Sequence, residues 1–313
     1  MGVATVLLPP RALLPATGLP PAVGKALARA DREQSQPGPR AQLRRHFRLL
    51  SDAWPAAALT RQWDEGDAAP YLWLRADPAY IVPDVNGARM FGHGAMLALA
   101  ADDIEALLPD LRPLFGDAGF ELDMPNPARW YLRLPSGTPL PVFADPDQAL
   151  GESLTEYLPE GDSAAARRWR ILLNDVQMLL HQHPWNQRRA AQGKPEINSL
   201  WFWGAGTLPE LVGSRFGEVR SRDPLLLALA QAGGIATNSD AARPDRDLLI
   251  DLRHLRSGGG FVEQVMEPML QALQRHEIDS LVLDFEDGVC FTLHPGQRRW
   301  HFWLKPMIRL DAR

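Results

Sequence analysis

Strand-like and helix-like segments alternate along the last third of this 313-residue chain. Leu225–Gln231 has the pattern of a helix, and Asp247–Leu252 has that of a buried strand between charged residues. A flexible turn is predicted at Ser257–Gly260. Apolar residues at spacings of three and four then indicate another amphipathic helix, carrying Val262, Val265, Met266, Met269 and Leu273. Alternation of this kind is typical of α/β proteins.

The end of the chain has the pattern of an antiparallel meander. Its predicted strands are Leu281–Phe285, Val289–Leu293 and Arg298–Leu304. Turns are predicted between them at Asp287-Gly288 and His294-Pro295-Gly296. An antiparallel meander added to alternating helices and strands predicts a mixed sheet.

Further elements are predicted in the first two thirds of the chain. The strongest helix follows Ser163, a suitable N-cap, and places Trp169, Leu172, Leu173, Val176, Leu179 and Leu180 on one face. Another helix is predicted around 95–108. The predicted strands are Val3–Leu8, Tyr71–Leu74, Trp130–Leu134 and Ser199–Trp203, and the predicted loops are Gln34–Pro39 and Asp64–Pro70.

Charge and cysteine content limit the partners and the compartment. The chain carries 33 basic and 38 acidic residues, so its net charge of −5 gives no overall positive field for nucleic acid. A basic run, Arg40–Arg48, favours an amphipathic surface helix, with a polyanion-binding strip as the alternative. Cys290 alone allows no internal disulfide. With no basic leader before Val3–Leu8 and no apolar run of about 20 residues, we expect a cytoplasmic protein without a membrane partner.

Common catalytic motifs are incomplete in this sequence. Gly24-Lys25 lacks the remaining residues of a phosphate-binding loop, and no GxSxG nucleophile elbow occurs. His181 and His183 form an HxH pair, but at the end of a helix their rings diverge. A structural role near the helix C-terminus is therefore favoured over metal ligation.

Two segments carry a family resemblance. The first, His183–Gly206, contains Asn186, Arg189, Gly193, Asn198, Gly204 and Gly206 at spacings similar to those of archaeal-type cofactor-independent phosphoglycerate mutases. The second contains Arg75 and then Asp84 and Arg89, and it resembles a substrate-side segment of the same enzymes. Over nearly its whole length, the sequence resembles the RpfE-type bacterial regulatory proteins.

The resemblance implies a fold and a domain arrangement. It implies an α/β protein with an alkaline-phosphatase-like mixed-sheet core and an inserted α+β lobe. The core would comprise residues 1–66 and 207–313, and the phosphoglycerate-mutase-like substrate lobe would comprise residues 67–206. The breakpoints at Gly66–Pro70 and Gly204–Gly206 bracket the matched region.

The departures from the family pattern bear on catalysis. Two divalent ions, held by several Asp and His side chains, serve phosphoryl transfer in this superfamily. Here the first strand runs into Pro9-Pro10 rather than Asp-Gly, and Asp251, Asp284 and Asp287 lack the accompanying histidines. We therefore expect no catalytic and no metal-binding residues, and we interpret these aspartates as turn and strand-end residues. The alternative is an active mutase, phosphotransferase or phosphatase with manganese or zinc.

A non-catalytic relative would act through a small phosphorylated metabolite or a protein partner. The resemblance puts forward eight ligand-binding candidates: Arg75, Asp84, Arg89, Asn186, Arg189, Asn198, Gly204 and Gly206. Guanidinium groups can clamp a phosphate, amides can bind hydroxyl groups, and a Gly-Ala-Gly turn allows close approach of backbone N–H groups. The alternative is that the asparagines cap local turns and the arginines are surface charges. Exposed tryptophans binding a protein partner remain a third hypothesis.

Overall fold

The computed structural model describes residues 2–14, 18–50, 54–85, 87–159, 161, 163–239, 246–295 and 305–310. Two compact units make up the chain. Unit 1 comprises Met1–Leu50 with Leu211–Arg313, and unit 2 comprises Ser51–Glu210. The first boundary lies at Leu50 rather than at residue 66, because the helix Ala56–Asp64 packs on strands of unit 2.

Short strands are distributed along both units. They are β1 (Val3–Leu8), β2 (Asp31–Gln34), β3 (Arg48–Leu49), β4 (Leu72–Asp84), β5 (Gly87–His93), β6 (Glu121–Asn126), β7 (Arg129–Leu134), β8 (Ser199–Gly206), β9 (Val212–Gly213), β10 (Glu218–Arg220), β11 (Ala236–Thr237), β12 (Leu248–Asp251), β13 (Ser280–Phe285) and β14 (Val289–Leu293). The predicted strand Arg298–Leu304 lies outside the described residues.

Helices occupy much of the remaining chain. They are α1 (Pro21–Arg29), α2 (Pro39–Arg44), α3 (Ala56–Asp64), α4 (Ala101–Asp117), α5 (Pro146–Ala149), α6 (Ala164–Gln182), α7 (Pro184–Ala191), α8 (Pro224–Ala232), α9 (Gly258–Phe261) and α10 (Glu267–Gln274). A π-helical turn, Val262–Met266, joins α9 to α10. Short 3₁₀ turns occur at Arg11–Leu13, Gly94–Leu97 and Leu154–Glu156. No helix in the described part of the chain is both long and apolar enough to cross a membrane.

Unit 1 contains a mixed sheet. Among the described residues, seven strands lie in the order β11-β10-β12-β1-β13-β14-β2. The strands from β11 to β13 pair in parallel, whereas β14 pairs antiparallel with both β13 and β2. The predicted hairpin of β13 and β14 is therefore confirmed, and so is the mixed α/β fold.

The two faces of β1 differ in character. Ala4, Val6 and Leu8 belong to one apolar core with Phe261 and Phe285. Because side chains alternate along a strand, Leu7 points to the opposite face. Leu7 is aligned with Asp251 of β12 on one side and Asp284 of β13 on the other. Two carboxylates thus flank the carboxyl end of the central strand.

Unit 2 is built around an antiparallel sheet. Its described strands follow the order β5-β4-β7-β6, with β8 also paired to β4. Helices α4 and α6 cover one face through a large apolar core that includes Phe115, Trp169 and Phe202. On the other face, alanines of α3 pack with Trp73 and Tyr131. This arrangement has helices on both faces of one antiparallel sheet.

The predicted helix after Ser163 is confirmed as α6, with the Ser163 hydroxyl accepting from Ala166 N at 3.1 Å. The helix predicted around 95–108 begins later, at Ala101, and continues to Asp117. The prediction of a flexible turn at Ser257–Gly260 is wrong. Ser257 instead caps α9 by accepting from Gly260 N at 3.0 Å, and the glycines form its first turn.

Candidate functional site

Arg75, the first of the eight predicted ligand-binding residues, is buried on β4, and each of its three guanidinium nitrogens donates a hydrogen bond. It donates to both carboxylate oxygens of Asp77, at 2.8 and 2.9 Å, and to the Thr60 hydroxyl at 3.1 Å. The rings of Tyr131 and Trp203 lie on it, with centroids 5.3 and 5.2 Å from the guanidinium carbon. The Trp203 indole also donates to Asp77 at 2.7 Å. Arg75 therefore ties α3 to the sheet of unit 2.

Trp203 of β8 is buried beside the Arg75–Asp77 ion pair. Its indole and the Arg75 guanidinium share the Asp77 carboxylate, so one buried acid is balanced by one cation and one neutral donor. A second arginine at this position would place an additional charge in a buried environment, which is costly without a further counter-ion. The tryptophan is thus part of a closed network.

Arg189 of α7 is almost fully buried, with a side-chain exposure of 2%. It donates to Asp103 Oδ1 at 2.7 Å, to the Leu97 carbonyl at 2.7 Å and to the Pro195 carbonyl at 2.9 Å. Asp103 also accepts from the Trp185 indole at 2.7 Å. Burial opposes ionisation of Asp103, but these donors outweigh it and hold the pKa of Asp103 below its ordinary value. The guanidinium of Arg189 fixes α4, α7 and the loop after α7 together.

Asn186 lies three residues before Arg189 on the same helix and is also buried. Its amide nitrogen donates to the carbonyls of Leu180 and Ile197, both at 2.8 Å. Its amide oxygen accepts from Ile197 N at 2.9 Å. Asn186 therefore joins the end of α6 to the start of β8.

Asn198 closes the open edge of β4. Its side chain accepts from Ile81 N at 2.9 Å and donates to Ile81 O at 2.7 Å, as a neighbouring strand would. The next β4 residue on that side is Pro83, which has no N–H group. The asparagine and the proline together end the pairing of this edge.

Gly204 and Gly206 allow α3 to approach β8. They have φ angles of +67° and +153°. A Cβ atom on Gly204 would lie 2.8 Å from Ala56 Cβ, and one on Gly206 would lie 2.5 Å from Pro55 Cβ. Both glycines are therefore required by close packing inside unit 2.

Asp84 and Arg89 form the accessible pair among the eight. They face each other across the hairpin of β4 and β5, with Arg89 Nε 2.5 Å from Asp84 Oδ2. Arg89 also donates to the Gly151 carbonyl at 3.0 Å. The hydrogen bond from Arg89 lowers the pKa of Asp84 below its ordinary value. Arg89 and Arg189 share none of these hydrogen-bond partners.

A second polar region lies at the carboxyl end of the parallel strands in unit 1, where ligands commonly bind in α/β sheets. At the end of β12, Asp251 Oδ1 accepts from Arg253 Nε at 2.8 Å. Its Oδ2 accepts from Ser221 Oγ at 2.7 Å and from Arg253 Nη2 at 2.9 Å. Arg253 also donates to Asp223 at 2.6 Å. Burial opposes ionisation of Asp251, but the Arg253 hydrogen bonds outweigh it and lower its pKa.

Asp284 occupies the equivalent position at the end of β13 and is completely buried. Arg45 Nη2 lies 2.5 Å from its Oδ1, and Arg45 Nε lies 3.0 Å from its Oδ2. His46 Nε2 is 2.6 Å from the same Oδ2. Burial again opposes ionisation, and the His46 and Arg45 contacts outweigh it, so the pKa of Asp284 is lowered.

Asp287, in the turn after β13, is paired with Arg11. Its Oδ2 accepts from Arg11 Nε at 2.8 Å, and its Oδ1 accepts from Val289 N at 3.2 Å. All three aspartates that the resemblance brought forward as possible metal ligands therefore have an arginine partner. Within the described residues, no group of three or more His, Cys, Asp or Glu side chains is arranged to hold a metal ion.

Cys290 lies directly opposite Asp284 on the antiparallel neighbour β14. Burial and the nearby Asp284 charge raise the pKa of its thiol to about 12. A thiol with that pKa is almost entirely protonated at neutral pH and is a poor nucleophile. Cys290 is half-buried on β14.

The partners of Asp284 were not foreseen from the sequence. The basic run Arg40–Arg48 is only partly helical, because α2 ends at Arg44 and Arg48 belongs to β3. Arg45 and His46 instead reach Asp284, 239 and 238 residues away in sequence. Arg253 gave a local signal, since it follows Asp251 by two residues. His183, of the predicted HxH pair, caps α7 by accepting from Trp185 N at 3.2 Å.

Comparisons with known proteins relate part of this chain to one enzyme family. A 74-residue segment is 38% identical to a probable 2,3-bisphosphoglycerate-independent phosphoglycerate mutase of Geobacter sulfurreducens, and covers 23% of this chain and 18% of that protein. A 70-residue segment is 34% identical to the corresponding mutase of Methanosarcina barkeri, and covers 22% and 17%. A segment of this chain is thus related in sequence to phosphoglycerate mutases. The match spans less than a fifth of the length of these relatives.

Two solved structures are similar over most of the chain. A cofactor-independent phosphoglycerate mutase from Thermoplasma acidophilum is 15% identical with a TM-score of 0.44, covering 100% of this chain and 95% of that one. A protein from Pyrococcus horikoshii is 12% identical with a TM-score of 0.47, covering 95% and 88%. No family model matches the sequence.

Proposed function

We propose that this protein is a non-catalytic relative of the cofactor-independent phosphoglycerate mutases. One observation carries the proposal: Asp251, Asp284 and Asp287 are each neutralised by a side-chain cation of the protein. A guanidinium group neutralises the carboxylate and takes up part of its acceptor capacity, so a metal ion would have to displace that guanidinium or bind beside its positive charge. The protein supplies fixed positive charge where phosphoryl transfer would need exchangeable metal.

The physical argument rests on the properties of arginine. A guanidinium group does not lose its proton under ordinary conditions, so it cannot vacate its partner by titration. Displacing Arg253 from Asp251 by a metal ion would remove one of the two acidic partners of that arginine in a largely buried position and leave it Asp223 alone. A guanidinium also cannot ionise a bound water in the way a divalent metal does. These charges therefore stabilise the fold without supplying a nucleophile.

The alternative is a metal-dependent phosphoglycerate mutase, phosphotransferase or phosphatase. It would require Arg253 and Arg45 to swing away from their aspartates when manganese or zinc arrives. Arg253 has a second acidic partner in Asp223, and Arg45 has a second acceptor in the Gln36 carbonyl. Those second contacts would be the resting positions of the displaced arginines.

The resemblance to RpfE-type proteins adds a regulatory role to this proposal. Such a role works through a bound small phosphorylated metabolite or a protein partner rather than through turnover. Among the predicted residues, Arg89 with its partner Asp84 is the best candidate to bind a phosphate. Arg75, Asn186 and Arg189 are instead hydrogen-bonded to other groups inside unit 2. A phosphate would compete with Asp84 for the Arg89 guanidinium.

Metal titration of the purified protein tests the proposal. Manganese and zinc are added at 1 mM, on the order of 100 times a typical dissociation constant, and we expect them to leave the melting temperature unchanged. We also expect no turnover of 3-phosphoglycerate or p-nitrophenyl phosphate. Asp251→Asn is the diagnostic variant, and the exposed Asp175→Asn is its matched control. A saturable rise in melting temperature that Asp251→Asn removes and Asp175→Asn retains would establish the metal-dependent alternative.

A further inference from the structure

A groove in unit 2 has no role in the proposal above. It has a volume of about 770 Å³ and lies between the turn end of the β4–β5 hairpin and the C-terminal half of α6. Small-molecule sites in proteins typically enclose roughly 300–1,000 Å³. Its lining residues are Tyr80, Ile81, Val82, Pro83, Gly87, Ala88, Asn174, Gln177, Met178, His181, Glu196 and Asn198.

The walls of the groove are fixed by internal hydrogen bonds. Asn198 binds the backbone of Ile81 through both the oxygen and the nitrogen of its side-chain amide. Gln177 donates to Ser199 Oγ at 3.1 Å, which attaches α6 to β8. Asn186 bonds the carbonyls of Leu180 and Ile197. Because His181 and Glu196 adjoin those two carbonyls in sequence, they lie at the same end of the groove, which is formed before any ligand arrives.

Several polar side chains of the groove are unused. In the part of the chain that the structure describes, Asn174, His181 and Glu196 have no side-chain hydrogen bond or ion pair. Glu196 is the one acidic residue among the lining residues, and none of them is lysine or arginine. Glu196 is therefore the one carboxylate that the lining of the groove offers to a ligand.

The floor of the groove is apolar. Tyr80, Ile81, Val82 and Pro83 line one side, and Met178, whose side chain is 63% exposed, lines the other. An exposed methionine beside a hydrophobic floor provides a deformable contact for an apolar group. The groove therefore combines one acid at its end with an apolar body along its length.

We propose that this groove binds a small organic amine with an apolar or aromatic body. The ammonium group pairs with Glu196 and donates to Asn174 or His181, while the body lies on Tyr80 and Met178. A phosphorylated ligand suits this groove less well, because its phosphate would meet Glu196 and none of the lining residues is lysine or arginine. This site does not involve the aspartates of unit 1, and neither Asp84 nor Arg89 is among its lining residues.

Three probes of similar size and different charge test the proposal: 2-phenylethylamine, 2-phenylethanol and phenylacetate. Binding is followed in the full chain by NMR of ¹³C-methyl-labelled methionines. Met178 reports on the groove, and Met96, 55% exposed in unit 2 but outside the groove, is the internal control. We expect a saturable shift of Met178 with the amine, a weaker one with the alcohol and none with the acid.

The variant Glu196→Gln isolates the charge term. We expect it to weaken amine binding about three- to fivefold, the range of a solvent-accessible ion pair, and to leave the alcohol unchanged. The exposed Glu65→Gln, at the end of α3, is the matched control and should bind all probes like the parent. The proposal would be overturned by equal affinity for the amine and the acid, or by the absence of a saturable shift with any probe. It would also be overturned if Glu65→Gln weakened amine binding as much as Glu196→Gln, or if Met96 shifted as much as Met178.

Discussion

Replacing Arg189 by methionine separates a structural role from a ligand-binding role. Methionine keeps the unbranched apolar stem and removes the guanidinium, so the change leaves little cavity. The loss falls on three buried contacts: the ion pair with Asp103 and the hydrogen bonds to the carbonyls of Leu97 and Pro195. Nothing in these contacts involves a ligand.

The expected loss of unfolding free energy depends on the buried polar groups that lose Arg189 as their partner. Removing one partner of a buried ion pair costs about 3–5 kcal/mol. Asp103 still accepts from the Trp185 indole and from Ala100 N, so the lower end, about 3 kcal/mol, applies. Two carbonyls that lose their donors add about 1 kcal/mol each. We expect the free energy of unfolding of unit 2 to fall by about 4–5 kcal/mol, a large part of a typical domain's 5–15 kcal/mol.

Urea unfolding followed by tryptophan fluorescence measures this change. Trp54, Trp63, Trp73, Trp130, Trp169, Trp185, Trp201 and Trp203 all lie in unit 2, so the signal reports chiefly on that unit. The neighbouring Arg188→Met is the matched control, because Arg188 is exposed and lies over the Trp185 ring at 5.5 Å. It should change the stability by less than about 1 kcal/mol.

A double variant checks the cause of the loss. If the uncompensated Asp103 charge is responsible, Arg189→Met with Asp103→Asn should be more stable than Arg189→Met alone by about 1 kcal/mol or more. Should Arg189→Met unfold with the same free energy as Arg188→Met, the buried network would contribute nothing, and the reasoning would be refuted. The ligand-binding interpretation of Arg189 would then regain its place.

Three further predictions concern the rest of the chain. Burial raises the pKa of Asp251 and Asp284, but the contacts with Arg253, His46 and Arg45 outweigh burial and leave both values lowered. The stability that these two ionised carboxylates give to unit 1 is therefore complete above their unfolded pKa of about 4. It is lost as the pH falls through the folded values, so urea midpoints of unit 1 should be flat from pH 7 to 5 and decline below about pH 4. Cys290, whose pKa is raised to about 12, should react with a disulfide reagent at pH 8 at least about 100-fold more slowly in the folded than in the urea-unfolded protein. Gly204→Ala should destabilise unit 2 by more than Gly137→Ala, which tests the same positive φ with nothing within 4 Å of the added Cβ; equal losses of about 1 kcal/mol would contradict the close contact with Ala56.

Elements with strong local signals were predictable from the sequence. Ser163 and the apolar residues spaced by three and four define α6, because capping and burial act within one helix. The hairpin of β13 and β14 follows from the Asp287-Gly288 turn, where Gly288 has a φ of +86°. By contrast, β2 consists of four polar residues and pairs with β14 only through its backbone. No side-chain pattern marks such an edge strand.

The site was less predictable because its contacts are distant in sequence. The resemblance identifies Asn186 and Arg189 by type and spacing, but their partners decide their roles. Leu97 and Asp103, which bind Arg189, lie 92 and 86 residues before it. A buried arginine surrounded by carbonyls and one with an open face have the same local sequence. Spacing alone could not distinguish the two.

The cations at the carboxyl end of the unit 1 sheet also have a mechanical effect. The Ser221–Asp251–Arg253–Asp223 contacts join the segments that follow β10 and β12, and Arg45 and His46 fix the end of α2 to β13. Asp251 and Asp284 are carboxylates in largely buried positions, so removing a cation from either one leaves its charge less well compensated. A single substitution therefore destabilises this edge before it can free a metal ligand. Under the proposal above, forming a metal site at this edge would require coordinated changes in several segments, because each arginine links its aspartate to a different part of the chain.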